Sequence, residues 1–424
     1  MNNLLISDAV LLLPGHSLHG KKVSLSIERG KIKQLSASDI TPDSKTTTIN
    51  GAGQFLSPGF FDLNARFGEP GQETKEDIRS GCAAAIAGGF TGVALQPNTV
   101  PPIDNQSGVA LIVNRAKEQP VDVHPVGALS KGCNGESLAE LYDMRLAGAV
   151  AFSDGFRSVQ QAGLMSRALL YAKGFGGLVF ARPEDPSVAG GAAMNEGVMS
   201  TYLGMKGNPN LAEALMVARD IFLADYNDAP IHFSTISTAE AVELIRKAKR
   251  QGLQVTCDVA AHHLVLTDDY VEGFDSHYKV SPPLRTKADV KALLKGLKDG
   301  TIDAIVSQHT PHEVEFKNVE FQIAKNGMIG LQTALPLALR AGLNPEQIVD
   351  KLACQPRNVL GLPIPSFEDG SDANFILFDP KQKWVLDADT NFSKSANTPF
   401  WGEELTGRVT IALNKRHLYS TERI

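Results

Sequence analysis

Cysteine is scarce in this chain, and long apolar runs are missing from it. Cys82, Cys133, Cys257 and Cys354 stand far apart among 424 residues, with no CxxC pair. That spacing offers neither a disulfide framework nor a zinc-ribbon ligand set, and it suits reduced, buried thiols in a cytoplasmic protein. No stretch approaches the roughly 18 uninterrupted apolar residues of a membrane span. Met1–Pro14 has no basic leader and is broken by Asp8, so it does not read as a secretory signal. Positive charge is not in excess either: 41 Lys and Arg face 47 Asp and Glu, giving a net charge of −6. That balance argues against a nucleic-acid-binding surface. The densest basic run, Arg246–Arg250, reads as a solvated helix end. No GxGxxG, GxxxxGK[ST] or GxSxG element appears in a strand–helix context, which removes the dinucleotide, P-loop and nucleophile-elbow classes.

What is present is an ordinary globular composition, 43% hydrophobic and 21% charged with 38 glycines, in a chain long enough for a barrel and a smaller module. Leu4–Leu13, Val23–Leu35 and Thr46–Phe55 are β-rich, and Glu28-Arg29-Gly30-Lys31 reads as a hairpin turn. From Phe60 onward apolar runs alternate with helical stretches. Candidate strands end near Leu63, Gln96, Val126, Phe152, Ala181, Phe233, Val259 and Ser307, the eight that a (β/α)8 barrel needs. Thr74–Ala87 reads as helix, and Ser237–Arg250 as a helix opened by a capping box with Ser237 at the N-cap and Glu240 three residues on. Beyond Pro356 the chain turns β-rich again. The expected class is therefore α/β: a TIM-like barrel over residues 58–358, with residues 1–57 and 359–424 sharing one β-module.

The stretch Pro58–Gly71, PGFFDLNARFGEPG, ends an apolar run and opens a glycine-bearing loop, as a barrel strand does where it reaches a pocket. It resembles the opening motif of dihydroorotases in the amidohydrolase superfamily, PGFxDxHxHxREPG. The resemblance extends along nearly the whole chain through Gln96-Pro97-Asn98-Thr99, Phe152-Ser153-Asp154-Gly155, Ala181–Asp185, His232–Thr238 and Gln308–His312. It implies an amidohydrolase-type barrel with a small β-sandwich module built from both chain ends. It also implies two zinc ions that activate a water and polarise a cyclic amide, with an aspartate at the eighth strand moving the proton.

In this sequence the places that resemblance assigns to the metal ligands and the proton shuttle are Asn64, Arg66, Gly155, Arg182, Thr235 and Gln308. These residue types are non-ligands or poor ligands, and the two arginines are permanent cations. The substrate contacts have thinned as well. Gly68 stands for the motif's arginine and Ser281 for an asparagine, while Asn98 and His312 remain. Asn98 reads equally as a turn residue before a helix. His262, His263, His309 and His312 could form a rebuilt metal cluster, but adjacent histidines on a strand face opposite sides, which favours structural roles.

The expectation is thus a pseudo-dihydroorotase that needs no cofactor. In the role the resemblance implies, it is a non-catalytic partner of aspartate transcarbamoylase in pyrimidine biosynthesis, oligomeric and cytoplasmic. Two alternatives stay open. One is an active dihydroorotase or related cyclic amidase, its site rearranged around His309, His312, Asp154 and His262 or His263. The other is an effector-binding protein using Arg66 and Arg182 as clamps for a carboxylate or phosphate.

Overall fold

The computed structural model describes residues 3–422. Eight parallel strands hydrogen-bond in chain order: Phe60–Ala65, Phe90–Leu95, Asp122–Gly127, Ala151–Phe152, Val179–Ala181, Ile231–Phe233, Val255–Ala260 and Ala304–Val306. They are the eight apolar runs of the sequence, and helices between them cover the outside. Phe61, Leu63, Val126, Phe180 and Val306 belong to one cluster that fills the interior, so the barrel is packed rather than hollow. Its two end strands meet through a side chain. Asp62 Oδ1 accepts from the Ser307 N–H at 3.0 Å, and Oδ2 accepts from the Ser307 hydroxyl. Beyond them the Arg66 N–H donates to the His309 carbonyl at 3.0 Å.

Strands from both chain ends join in one eight-stranded sheet beside the barrel. Phe55–Pro58 is its seam, pairing parallel with Asn3–Leu11 and antiparallel with Asn374–Val385. Leu4, Ile6, Leu25, Phe375, Leu377 and Leu413 share its core. The hairpin at residues 28–31 forms as the sequence suggests, with Arg29 at φ 53° and Gly30 at φ 81°. Two consecutive left-handed residues match the twist of the flanking strands. A side chain at position 30 would also lie 2.4 Å from the Lys415 carbonyl oxygen, so glycine is required twice over.

Three local readings are corrected. The helix assigned from Thr74 starts at Ile78, capped by Asp77 and Ser80 in a reciprocal box. Thr74 instead donates to Glu313 at 2.6 Å, which leaves Lys75 on a loop over the barrel mouth. The helix assigned from Ser237 spans Ala239–Arg250, with Thr238 as its N-cap. Ser237 cannot cap because the buried Glu213 takes its N–H and hydroxyl, together with those of Thr238. The basic helix end is not fully solvated: Arg246 is buried against Asp299 and Thr301, and Lys249 bonds Asp303 at 2.7 Å. Among the described residues no helix is long and apolar enough to cross a membrane.

Glu213 alone satisfies four buried donors, so Glu213→Ala should destabilise the fold by about 3–5 kcal/mol. Urea denaturation of the variant beside the wild type measures this, and a loss under about 1 kcal/mol would mean that other acceptors replace it.

Candidate functional site

A cavity of about 480 Å³ opens where the barrel strands end. Arg66, Gly68, Asn98, Ser281, Gln308 and His312 line it, together with Lys75, Phe156, Glu184 and Lys325. A wider, more open groove of about 770 Å³ runs between the terminal sheet and the outside of the barrel, past Arg29, Lys117 and Arg416. It lies away from the strand ends, so the mouth cavity is the candidate site.

Of the six expected positions Arg66 and Gln308 line this cavity, and the side chains of Asn64, Thr235, Arg182 and Gln308 are held by hydrogen bonds within the protein. Asn64 Nδ2 donates to Thr235 Oγ1 at 3.1 Å and to Ser234 Oγ at 3.3 Å. The Thr235 N–H and hydroxyl both donate to Asp258 Oδ1, at 2.7 and 3.2 Å. Arg182 Nη1 donates to the Ser281 carbonyl at 3.1 Å and Nη2 to the Ser281 hydroxyl at 2.8 Å, with Glu184 Oε2 at 3.7 Å. Gln308 Nε2 reaches that same carbonyl at 2.9 Å. Thr235 and Gln308 both sit at positive φ, 57° and 49°, a costly backbone for non-glycine residues that clusters at functional sites.

Gly155 and Gly68 are filled by their neighbours rather than open. At Gly155, φ 65°, a Cβ would lie 1.6 Å from Asn98 Oδ1; at Gly68 it would lie 2.0 Å from the Gln72 carbonyl oxygen. Neither backbone admits the aspartate or arginine of the resembled motif as it stands. Asn98 has the turn role: its Nδ2 donates to the Asp154 carbonyl at 3.0 Å, and its Oδ1 accepts from the Phe156 N–H at 3.2 Å. Asp154 itself turns away and accepts from the Ser130 N–H and hydroxyl.

The histidines separate. His309 accepts from the Gly330 N–H at Nδ1, so Nε2 carries its proton toward Glu76 at 3.3 Å, outside the cavity. His262 and His263 are not on a strand. They share a 3-10 turn at residues 261–264 with ring centroids 4.5 Å apart, so alternation does not divide them. His263 Nε2 lies 3.2 Å from the Pro282 carbonyl, and burial pushes its pKa down to about 4. Only His312 faces the mouth. Its Nε2–H donates to the Asn326 carbonyl at 3.0 Å, which leaves Nδ1 as a lone pair with no partner, and burial pushes its pKa down to about 4. Sequence reasoning missed Lys75, Phe156 and Lys325. They lie on loops after strands, where no periodicity marks a residue as cavity-lining.

Residues 53–241 match the Dihydro-orotase-like family and residues 182–400 the Amidohydrolase family. A dihydroorotase of Geotalea daltonii is 44% identical over 416 residues, 97% of each chain. One of Acetivibrio thermocellus is 43% identical over 403 residues, 94% of this chain and 93% of that one. The chain belongs to the dihydroorotase family. Its fold is that of an L-hydantoinase (dihydropyrimidinase) from Arthrobacter aurescens, with a TM-score of 0.85 at 22% identity over 99% and 96% of the two chains.

Membership overturns the expectation that no cofactor is involved, because zinc is the working ion that dihydroorotase kinship implies. The donors at the mouth nevertheless do not fit zinc. Asparagine, arginine, glycine and threonine hold the positions, and the two guanidinium groups repel a cation. Among the described residues no three His, Cys, Asp or Glu side chains converge as a ligand set.

Because His263 and His312 are neutral when folded and titrate near 6.5 when unfolded, the unfolded chain binds more protons between about pH 4 and 6.5. Stability should therefore fall as pH drops through that window and level off below it, by on the order of 3 kcal/mol per histidine. Denaturation near pH 7 and near pH 4.5 checks the sign, and His312→Gln should flatten part of the slope.

Proposed function

We propose that this chain is a dihydroorotase-like protein of pyrimidine biosynthesis that has given up hydrolysis and serves as an assembly partner of aspartate transcarbamoylase. One observation carries the first half. Gln308, at the proton-shuttle position of the resemblance, donates its amide to the Ser281 carbonyl, and an amide exchanges no proton near neutral pH. Amide hydrolysis needs an activated water and a group that moves a proton near neutral pH. Asp62 and Asp154 are committed to serine donors, and Glu184 is engaged by Arg182 and Asn208. The partnership rests on the family resemblance together with an intact barrel, whose packing does not depend on its site residues.

A second reading, hydrolysis of a cyclic amide, is favoured by 40–44% identity to chains named dihydroorotase. It would have to rely on His312, since His309 and Asp154 point elsewhere.

Purified protein supplied with zinc should hydrolyse dihydroorotate no faster than a blank. Turnover that tracks bound zinc and disappears in His312→Ala would establish the second reading. Co-expression with the same organism's aspartate transcarbamoylase, followed by sizing, tests the partnership: a joint peak is expected, and separate elution with unchanged transcarbamoylase activity would end it.

A further inference from the structure

The groove between the terminal sheet and the outer wall of the barrel gathers positive charge in a protein whose net charge is −6. Its sheet side is made by two hairpin tips, at residues 28–31 and 414–417, one near each end of the chain. Its barrel side is the end of the helix Gln106–Ala116 and the start of the strand Asp122–Gly127. Both acidic residues of the lining are already paired: Asp372 with Lys31 at 3.2 Å, and Asp122 with Lys415 at 2.7 Å. Arg29, Lys117 and Arg416 are left over, and among the described residues none of them has a carboxylate within 4 Å. The fold also presses the two cationic tips together. A Cβ at Gly30 would lie 2.4 Å from the Lys415 carbonyl oxygen and 2.9 Å from Arg416 Cγ. Arg29 and Lys415 hold left-handed backbone, φ 53° and 56°, which glycine or asparagine takes with less strain. A turn there requires no cation, so two basic residues in strained positions mark the groove as more than a seam.

We propose that this groove binds an oligophosphate, either free or as the tail of a nucleotide. Charge and size decide the class. The groove is open to water, so each exposed pair is screened and contributes little by itself. A monoanion would be held by one such pair, whereas a chain of phosphates meets several cations at once and spans from the sheet side to the barrel side. Two of the three unpaired cations are arginines, whose forked donors match pairs of phosphate oxygens. Half-buried His124 lines the same groove, and among the described residues its ring makes no hydrogen bond. Burial holds its pKa below the usual histidine value, so at neutral pH the ring offers an uncharged N–H to an oxygen. A volume of about 770 Å³ is within the range of small-molecule sites. Because both chain ends and the barrel wall form the groove, a bound ligand ties the terminal sheet to the barrel.

The proposal stands whether or not the chain hydrolyses a substrate or joins a transcarbamoylase. Sodium tripolyphosphate is the probe, titrated against the full chain by calorimetry and thermal melting without divalent metal, with sodium sulfate at matched ionic strength as the control. Saturable binding with a raised Tm is expected, weakened about 10- to 30-fold in the double variant Arg29→Gln/Arg416→Gln. Both side chains are exposed and bond to nothing in the protein, so without ligand this variant should melt as the wild type does. Lys383→Gln, on the same sheet outside the groove, should bind normally. Adenosine triphosphate separates the two sources: tighter binding than tripolyphosphate, lost in the same double variant, assigns a nucleotide, and equal binding assigns the phosphate chain alone. The proposal is overturned by an equal response to sulfate, by no saturable binding of either phosphate, by binding unchanged in the double variant, or by a hexaglutamate peptide that binds more tightly than both.

Discussion

The barrel depends on a buried carboxylate. Asp62 on the first strand accepts from the backbone and hydroxyl of Ser307, just past the eighth, and also from the Asn64 N–H at 3.2 Å. Burial pushes the Asp62 pKa up, and the donors around it pull the other way. These bonds join the first strand to the segment just past the eighth and set the directions in which Asn64, Arg66 and Gln308 leave their strands.

What fills the mouth is a network centred on the Ser281 carbonyl, which receives both Arg182 and Gln308. Two guanidinium groups, those of Arg66 and Arg182, stand there among neutral amides and hydroxyls. Such a site is electrostatically suited to an anion and poorly suited to a metal. Arg66 Nε, Asn64 Oδ1 and His312 Nδ1 are buried polar atoms left without a partner here, and such atoms are costly in a low-dielectric pocket.

Kinship and chemistry point in different directions here. Identity of 44% over 97% of both chains fixes the family, and the family's chemistry brings zinc with it. Yet the backbone leaves no room for larger side chains at two positions of the resembled motifs. A Cβ at Gly155 meets Asn98, and one at Gly68 meets the Gln72 carbonyl. A larger side chain at either position would need the neighbouring loop to move.

The eight strands, the terminal β-module and the place of the old site were legible in the sequence, because apolar runs at the βα period and a backbone-setting motif are local signals. Whether a given side chain was free was not legible. Ser237 looks like a cap until Glu213 arrives from 24 residues away, and Asp154 looks like a ligand until Ser130 claims it. Adjacent His262 and His263 seem bound to diverge until the strand is seen to end at Ala260 and leave them in one turn. Sequence alone determined which residue types stand at the resembled motifs, since composition at a motif needs no coordinates. Only the tertiary structure decided how each arginine is bonded: Arg182 meets Ser281 from 99 residues away, whereas Arg66 gives Nη1 to Thr310 and, among the described residues, its Nε finds no acceptor, and a hydrogen-bond partner is a property of the folded neighbourhood rather than of the residue.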